Sequence, residues 1–189
     1  MMNWIRRLLR CDRRGTILVE TAMAMPILVL ILTGGFEITR FVLLHQKLDR
    51  AASSLGDLIS QAPSLTESQL VKIFGSMQFV LSPFNSSANQ LLVITSIGRT
   101  GTNPPHINWQ RTGAGTLTVD LTTAGIGTGA QTPNLPAGFT IAAGETVIVA
   151  EAFYAYAPFI FPGTTFASTF YHRSFSRPRL APLDTVQPG

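Results

Sequence analysis

Residues 13–36 have the sequence RRGTILVETAMAMPILVLILTGGF, an apolar run that begins directly after two arginines. About 20 apolar residues are enough for a helix that crosses a bilayer, and this run has roughly 21. Glu20 lies near its start, where an ionised carboxylate costs at least ~2.5 kcal/mol and is usually kept for a partner or a function. The segment therefore predicts a membrane-spanning helix in which Glu20 has a special role.

The basic residues are concentrated before this run. Met1–Gly15 contains five of the 14 Lys and Arg residues and one of the ten Asp and Glu residues, so nine residues of each sign remain after it. Basic residues that flank a membrane helix stay on the cytoplasmic side, which predicts that the chain after the helix is exported. Because that exported part is neutral, the basic character of the whole chain is a topology signal and does not predict binding to nucleic acid.

The junction between the basic leader and the apolar run is a candidate cleavage site. A secretory signal peptide has an apolar core of about 7–15 residues that ends at small residues of the A-x-A type. Here the run is longer and continues into GGFEITR, so we expect the helix to stay attached or to lose only what precedes it. Gly15 is the small residue at the junction where a peptidase could hold extended backbone.

Several unlike residues stand at fixed offsets from this junction. They are Arg14, Gly15, Glu20, Ala22, Pro26, Gly34, Glu37 and Arg40. In this register, residues 13–58 resemble the TadE-like minor pseudopilins of the tight-adherence (Tad/Flp) pilus system. The resemblance implies cleavage after Gly15 by a prepilin peptidase, Thr16 as the new N-terminus, and a role for Glu20 in processing or assembly. The chain departs from the wider type IV pilin pattern at Thr16, where those pilins favour Phe.

The resemblance also implies a location and a set of partners. The protein is expected in the bacterial inner membrane as a single-pass protein with its C-terminal domain in the periplasm, and in the pilus or outside the cell if it enters the filament. The expected partners are the membrane, the prepilin peptidase, the major pilin and other minor pseudopilins. We also expect no nucleic acid and no small-molecule substrate.

Hydrophobic periodicity predicts the architecture beyond the membrane. An apolar stripe from Phe41 to Ile59 extends the first helix, which Pro63 ends. Thr66 and Gln69 have capping-box spacing for a second helix to about Val80, which Pro83 ends. The predicted strands are residues 91–97, 107–110, 116–121, 146–156 and 164–175. These elements indicate an α+β, pilin-like fold: a long transmembrane-plus-periplasmic helix packed on an antiparallel sheet of about four or five strands. The predicted organisation is a leader (1–15), a transmembrane and amphipathic helix (16–61) and a periplasmic α+β domain (62–189).

Motifs for catalysis or for binding a cofactor are missing from the sequence. His45, His106 and His172 are far apart in sequence, and the only cysteine is Cys11 in the leader, so we expect no metal site, no cofactor and no catalytic residue. The glycines of residues 125–129 are followed by prolines where a phosphate loop would start its helix, which favours a flexible loop. The aromatic residues of the last two strands are predicted to pack across the sheet, and residues 173–179 to form a solvated end.

The segment Phe159-Ile160-Phe161 lies in the predicted turn between the two longest strands. An exposed apolar patch in such a turn marks contact with a partner or a membrane, and the alternative is that it folds back onto the core. The function we expect is that of a minor pseudopilin that helps to initiate or assemble the pilus for adhesion or secretion. The alternatives are an unprocessed, membrane-anchored periplasmic scaffold or binding protein, and an anchored hydrolase.

Overall fold

The computed structural model describes residues 13–129, 131–160 and 168–189. The chain divides into two compact units, Met1–Phe41 and Val42–Gly189, and the second is called the C-terminal unit below. The helices are α1 (Arg13–Ser60), α2 (Glu67–Leu81) and the single turn α3 (Leu121–Ala124). The strands are β1 (Gln90–Gly98), β2 (His106–Gly113), β3 (Thr146–Tyr156) and β4 (Ser168–Ser176). This α+β arrangement is the one that the sequence predicts.

The second half of α1 forms the centre of the core. Leu44, Leu48, Leu55 and Ile59 recur at spacings of four and seven residues and are completely buried. They belong to one apolar cluster with side chains from β1, β3 and α2. The amphipathic stripe therefore packs on the sheet, as an apolar stripe on a surface helix must.

The sheet is antiparallel throughout, with strand order β2-β1-β3-β4. Both faces of its two central strands are covered, since every residue of β1 is buried and β3 is buried except at Ala155. Helices α1 and α2 cover one face, and apolar side chains from residues 117–141 pack on the other. The C-terminal unit is therefore a helix layer, a sheet and a loop layer.

The predicted strand at residues 116–121 is wrong. Leu117, Val119 and Leu121 do alternate with exposed residues, but they pack as a loop on Leu91 and Phe153. The strands that this segment covers, β1 and β3, are already paired on both edges, so it cannot join their ladders. The alternation therefore reports burial of one side of the segment and does not report strand pairing.

The second helix begins as its sequence predicts. Thr66 is the N-cap, its side-chain oxygen accepts the Gln69 backbone N–H at 3.3 Å, and the Gln69 side chain accepts the Thr66 N–H at 3.0 Å. The predicted loop around residues 125–129 is a loop, but it is packed against the sheet, with Ile126 completely buried. Strand β4 runs to Ser176, so residues 173–176 are part of the sheet and not a solvated end. Of the predicted last strand, residues 164–167 lie outside the described residues, as do residues 1–12 of the predicted leader.

Candidate functional site

The predicted cleavage junction lies at the start of α1. Gly15 and Thr16 are helical and exposed, and a Cβ atom added to Gly15 would meet nothing within 4 Å. The glycine is therefore not required for packing within the described chain. Its small size at this position is consistent with a requirement imposed from outside, such as the grip of a peptidase.

The first half of α1 is apolar and exposed on all sides. The helix is long and apolar enough to cross a membrane, and none of its most apolar 18-residue window is buried in the protein. The exposed large apolar side chains between Ile17 and Leu32 each have at least half of their surface accessible to solvent. Soluble domains rarely leave such a surface uncovered, so this half of the helix fits a segment that is covered by lipid or by other apolar helices.

Glu20 is the acidic residue on this apolar surface. It is exposed, four residues after Thr16, and so the two lie on the same face of the helix. Threonine hydroxyl groups elsewhere on the helix form hydrogen bonds within it: Thr21 Oγ1 and Thr33 Oγ1 each donate to a backbone carbonyl one turn earlier at 2.8 Å. A carboxylate cannot do this, because it only accepts hydrogen bonds. Glu20 is thus the group on this surface that needs a donor or a cation from its surroundings.

Three further features follow along the helix. Pro26 lies within α1, which is helical on both sides of it although Pro26 cannot donate to the carbonyl of Ala22. Gly34 has open space where a side chain would be. Near the end of the apolar run, an Nη1 atom of Arg40 lies 4.0 Å from Glu37 Oε1, and its guanidinium carbon lies 6.0 Å from the Phe36 ring centroid.

Comparison with known families gives a match that covers this helix. Residues 15–55 match the family of TadE-like proteins. The matched segment begins at Gly15 of the predicted cleavage junction, contains Glu20 and ends within the part of α1 that packs on the sheet. The resemblance found in the sequence is therefore confirmed over this range. The comparison finds no match to the chain among curated proteins or among solved structures.

Two histidines that are far apart in sequence, one in the TadE-like segment and one in β4, meet in the fold. His45 Nδ1 on α1 and His172 Nε2 on β4 are 2.9 Å apart, and the His45 ring lies 4.3 Å from that of Phe170. His172 Nδ1 is also 3.9 Å from an oxygen of Asp49. Burial, and then the neighbouring His172, lower the pKa of His45, so a neutral ring can donate its N–H to the other. The pair fastens α1 to β4; among the described residues, no group of three His, Cys, Asp or Glu side chains could hold a metal ion.

A second buried polar group was not predicted. Glu151 is completely buried in β3, and its Oε1 accepts the Tyr171 hydroxyl at 2.7 Å and the Ile126 backbone N–H at 2.9 Å. Its Oε2 has no hydrogen-bond partner in the described part of the chain. Burial raises the pKa of Glu151, while its hydrogen bonds oppose that rise, and the same burial raises the pKa of Tyr171. The contact holds the loop at Ile126 on the sheet, which is a structural role.

A polar cleft lies at the end of β1 and the start of β3. It has a volume of about 320 Å³ and is lined in part by Arg99, Asn108, Glu145 and Asp184. Its charged groups are already engaged: Arg99 donates to the carbonyls of Asn103 and Ile141, and Asp184 accepts from Asn108 and Thr146. These hydrogen bonds therefore join the loops around the cleft to one another and to the C-terminal tail.

Proposed function

We propose that this protein is a minor pseudopilin, a non-enzymatic structural component that helps to initiate or assemble a Tad/Flp-type pilus. The match of residues 15–55 to TadE-like proteins is the observation that carries the proposal. The exposed apolar half of α1 supports it, because a subunit that packs by its helix needs such a surface. The major pilin and other minor pseudopilins are the proposed partners.

Glu20 gives this packing its register. Cleavage after Gly15 would create an ammonium group at Thr16, and a carboxylate on a neighbouring helix would pair with it in surroundings of low dielectric. An unpaired Glu20 would be costly among lipid tails, so assembled subunits gain from bringing the two charges together. The unprocessed scaffold is the competing proposal, and in it Glu20 extends towards the headgroups without a partner.

The mature N-terminus tests the proposal. In the native host, N-terminal sequencing and intact mass of the membrane fraction should find Thr16 as the first residue. Gly15→Arg should leave the full-length protein, because a long side chain does not fit where a peptidase grips extended backbone. Gly75→Arg is the matched control: Gly75 is also an exposed helical glycine with nothing within 4 Å of an added Cβ, and this variant should be cut normally.

Three results would contradict processing at this junction. The first is Met1 as the mature end of the wild-type protein, which would favour the scaffold. The second is a mature end at Cys11 or after Phe36. The third is normal cleavage of Gly15→Arg.

A further inference from the structure

Strand β4 is one edge of the sheet, and the hydrogen bonds of β3 show which backbone groups of β4 face outward. The Ala155 N–H donates to the Asn89 carbonyl at 2.7 Å, so the odd-numbered residues of β3 bond to β1. Backbone groups alternate between the two sides of a strand, so the even-numbered residues of β3 bond to even-numbered partners on β4. The odd-numbered residues of β4 therefore direct their N–H and C=O groups away from the sheet; these are Thr169, Tyr171, Arg173 and Phe175.

These outward groups form a regular, open ladder. The pairing of β3 with β4 runs through nine residues of β4 without a register shift, and β4 contains no proline. Among the described residues, no hydrogen bond uses the four outward N–H groups or the four outward carbonyls. An edge of this kind can add a strand from another chain, which is why edge strands are usually interrupted, charged or covered.

The opposite edge of the sheet, β2, is interrupted in this usual way. The register shifts between Ser96 and Ile97 of β1, where Asn108 is an extra residue on β2 and forms a β-bulge. The Arg111 side chain of β2 is also held by Glu67 of α2, with an N–O distance of 2.6 Å. The regular ladder is therefore a feature of the β4 edge and not of both edges.

Three side chains of β4 form a row on the loop-layer side of this edge, which we call the edge row: Tyr171, Arg173 and Phe175. The guanidinium carbon of Arg173 lies 6.0 Å from the ring centroid of Tyr171 and 5.4 Å from that of Phe175. Its Nη1 donates to the Asn134 carbonyl at 3.2 Å, and Arg173 forms no ion pair with any described residue. An added strand would thus meet a cation between two aromatic rings.

Strand β3 shows which side chains match the edge row. Directly opposite the row lie Val149, Glu151 and Phe153, in the order apolar, acidic, apolar. Phe153 stacks on Tyr171 with ring centroids 4.8 Å apart. Glu151 accepts the Tyr171 hydroxyl at 2.7 Å, so the Arg173 guanidinium is left for a second carboxylate on the open side. A strand added there meets the same row and is matched by the same pattern.

We propose that the free edge of β4 binds an extended segment of a partner protein as a fifth strand, which places an apolar, an acidic and an apolar side chain at alternate positions beside the edge row. In such strand addition, main-chain hydrogen bonds give affinity and alternate side chains give specificity. A second copy of this chain does not supply the pattern from its own edge strands, because β2 and β4 contain no Asp or Glu. On the other face of the sheet, α1 carries charges of both signs and so favours neither sign in the added strand; they are Lys47, Asp49 and Arg50.

A peptide probe tests this proposal on the full-length protein in detergent micelles. The probe is a fluorescently labelled peptide with the 11-residue β3 sequence, in which the residues that face α1 are replaced by threonine for solubility. It keeps Val149, Glu151 and Phe153, and the control peptide has Glu151→Lys. Fluorescence anisotropy measures binding, and circular dichroism checks that each protein variant is folded.

Thr169→Pro and Thr112→Pro are the matched protein variants. Both threonines are exposed, lie one residue from the end of an edge strand and direct their backbone N–H outward, so proline removes no hydrogen bond of the sheet. The wild-type protein should bind the probe about fivefold more tightly than the control peptide, and Arg173→Gln should abolish this preference. Thr169→Pro should weaken binding of the probe severalfold, and Thr112→Pro should not.

Several results would overturn the proposal. They are equal affinity of the wild-type protein for the two peptides, no measurable binding of the probe at millimolar concentration, and a loss of binding in Thr112→Pro that Thr169→Pro does not show. Self-association of the wild-type protein that Thr169→Pro abolishes would make a second copy the occupant and would also overturn it. The binding does not require cleavage at Gly15, so failure of this proposal and failure of the proposed function can be told apart.

Discussion

Replacing Gly56 with leucine should loosen the contact between α1 and the sheet, because the helix backbone lies close to β3 and β4 here. A Cβ atom at Gly56 would lie 2.9 Å from Ser176 Oγ and 3.5 Å from Ala150 Cβ, so a leucine has no room. Overpacking of this kind costs ~1–3 kcal/mol. The gain in helix propensity from glycine to leucine, ~0.8 kcal/mol, opposes this cost. We expect a net loss of up to ~2 kcal/mol.

Gly75→Leu is the matched control for this experiment. Gly75 is also inside a helix but has open space where its side chain would be, so the variant should be more stable than the wild type by ~0.8 kcal/mol. Since the propensity gain is the same at both positions, the difference between the variants isolates the packing cost.

Thermal melting of the full-length protein in detergent micelles, followed by near-ultraviolet circular dichroism, measures this difference. A change of 1 kcal/mol shifts the melting temperature of a protein of this size by about 2–4 °C. Gly56→Leu should therefore melt roughly 2–12 °C below Gly75→Leu. If Gly56→Leu melted at the same temperature or higher, the close approach of α1 to β3 and β4 would be refuted.

Three further predictions concern charge and the apolar turn. Glu20→Gln keeps the shape and removes the charge, so the protein should insert normally but assemble poorly; pilus counts equal to those of the wild type at equal protein level would favour a Glu20 that only reaches the headgroups. Burial raises the pKa of Glu151 above 4.5, so its contribution to stability is fully present below pH 4.5 and is lost as the pH rises through the folded-state pKa. Glu151→Gln should therefore gain stability relative to the wild type as the pH rises from 4.5 to neutral. Melting temperatures that differ by a constant amount over that pH range would contradict this assignment. Replacing Phe159, Ile160 and Phe161 by serine should change the melting temperature little, since surface changes cost about 0.5 kcal/mol or less. The same variant should associate more weakly with pilin or membrane. A large fall in melting temperature would show that the turn belongs to the core.

Local signals in the sequence were sufficient for most of the fold. The predicted stripe marks the buried face of α1 from Leu44 to Ile59, although its first member, Phe41, is exposed. The capping pair Thr66 and Gln69 predicted the start of α2. Strand β3 has the predicted bounds, Thr146–Tyr156. These signals work because each depends on residues close together in the chain, which is where helix and strand patterns are encoded.

The contacts that the sequence did not predict join distant residues. His45 and His172 are 127 positions apart and meet only because β4 lies under the start of the packed half of α1. Glu151 was visible as a lone acid within an apolar strand, but its partners Tyr171 and Ile126 come from a neighbouring strand and from the loop layer. No spacing rule relates such residues, so they emerge only from the three-dimensional fold.

The apolar side chains of the two halves of α1 are covered in different ways. From Leu44 onward the apolar residues form one stripe, and the chain buries it under its own sheet. From Ile17 to Phe36 they surround the helix, so their cover must come from other molecules. Lipid tails and neighbouring apolar helices would cover that surface about equally well, because lipid tails are about as apolar as the side chains of such helices. In the proposed function Glu20 distinguishes the two environments, because a neighbouring subunit brings it a cationic partner and lipid tails do not. This single carboxylate then biases the helix towards assembly.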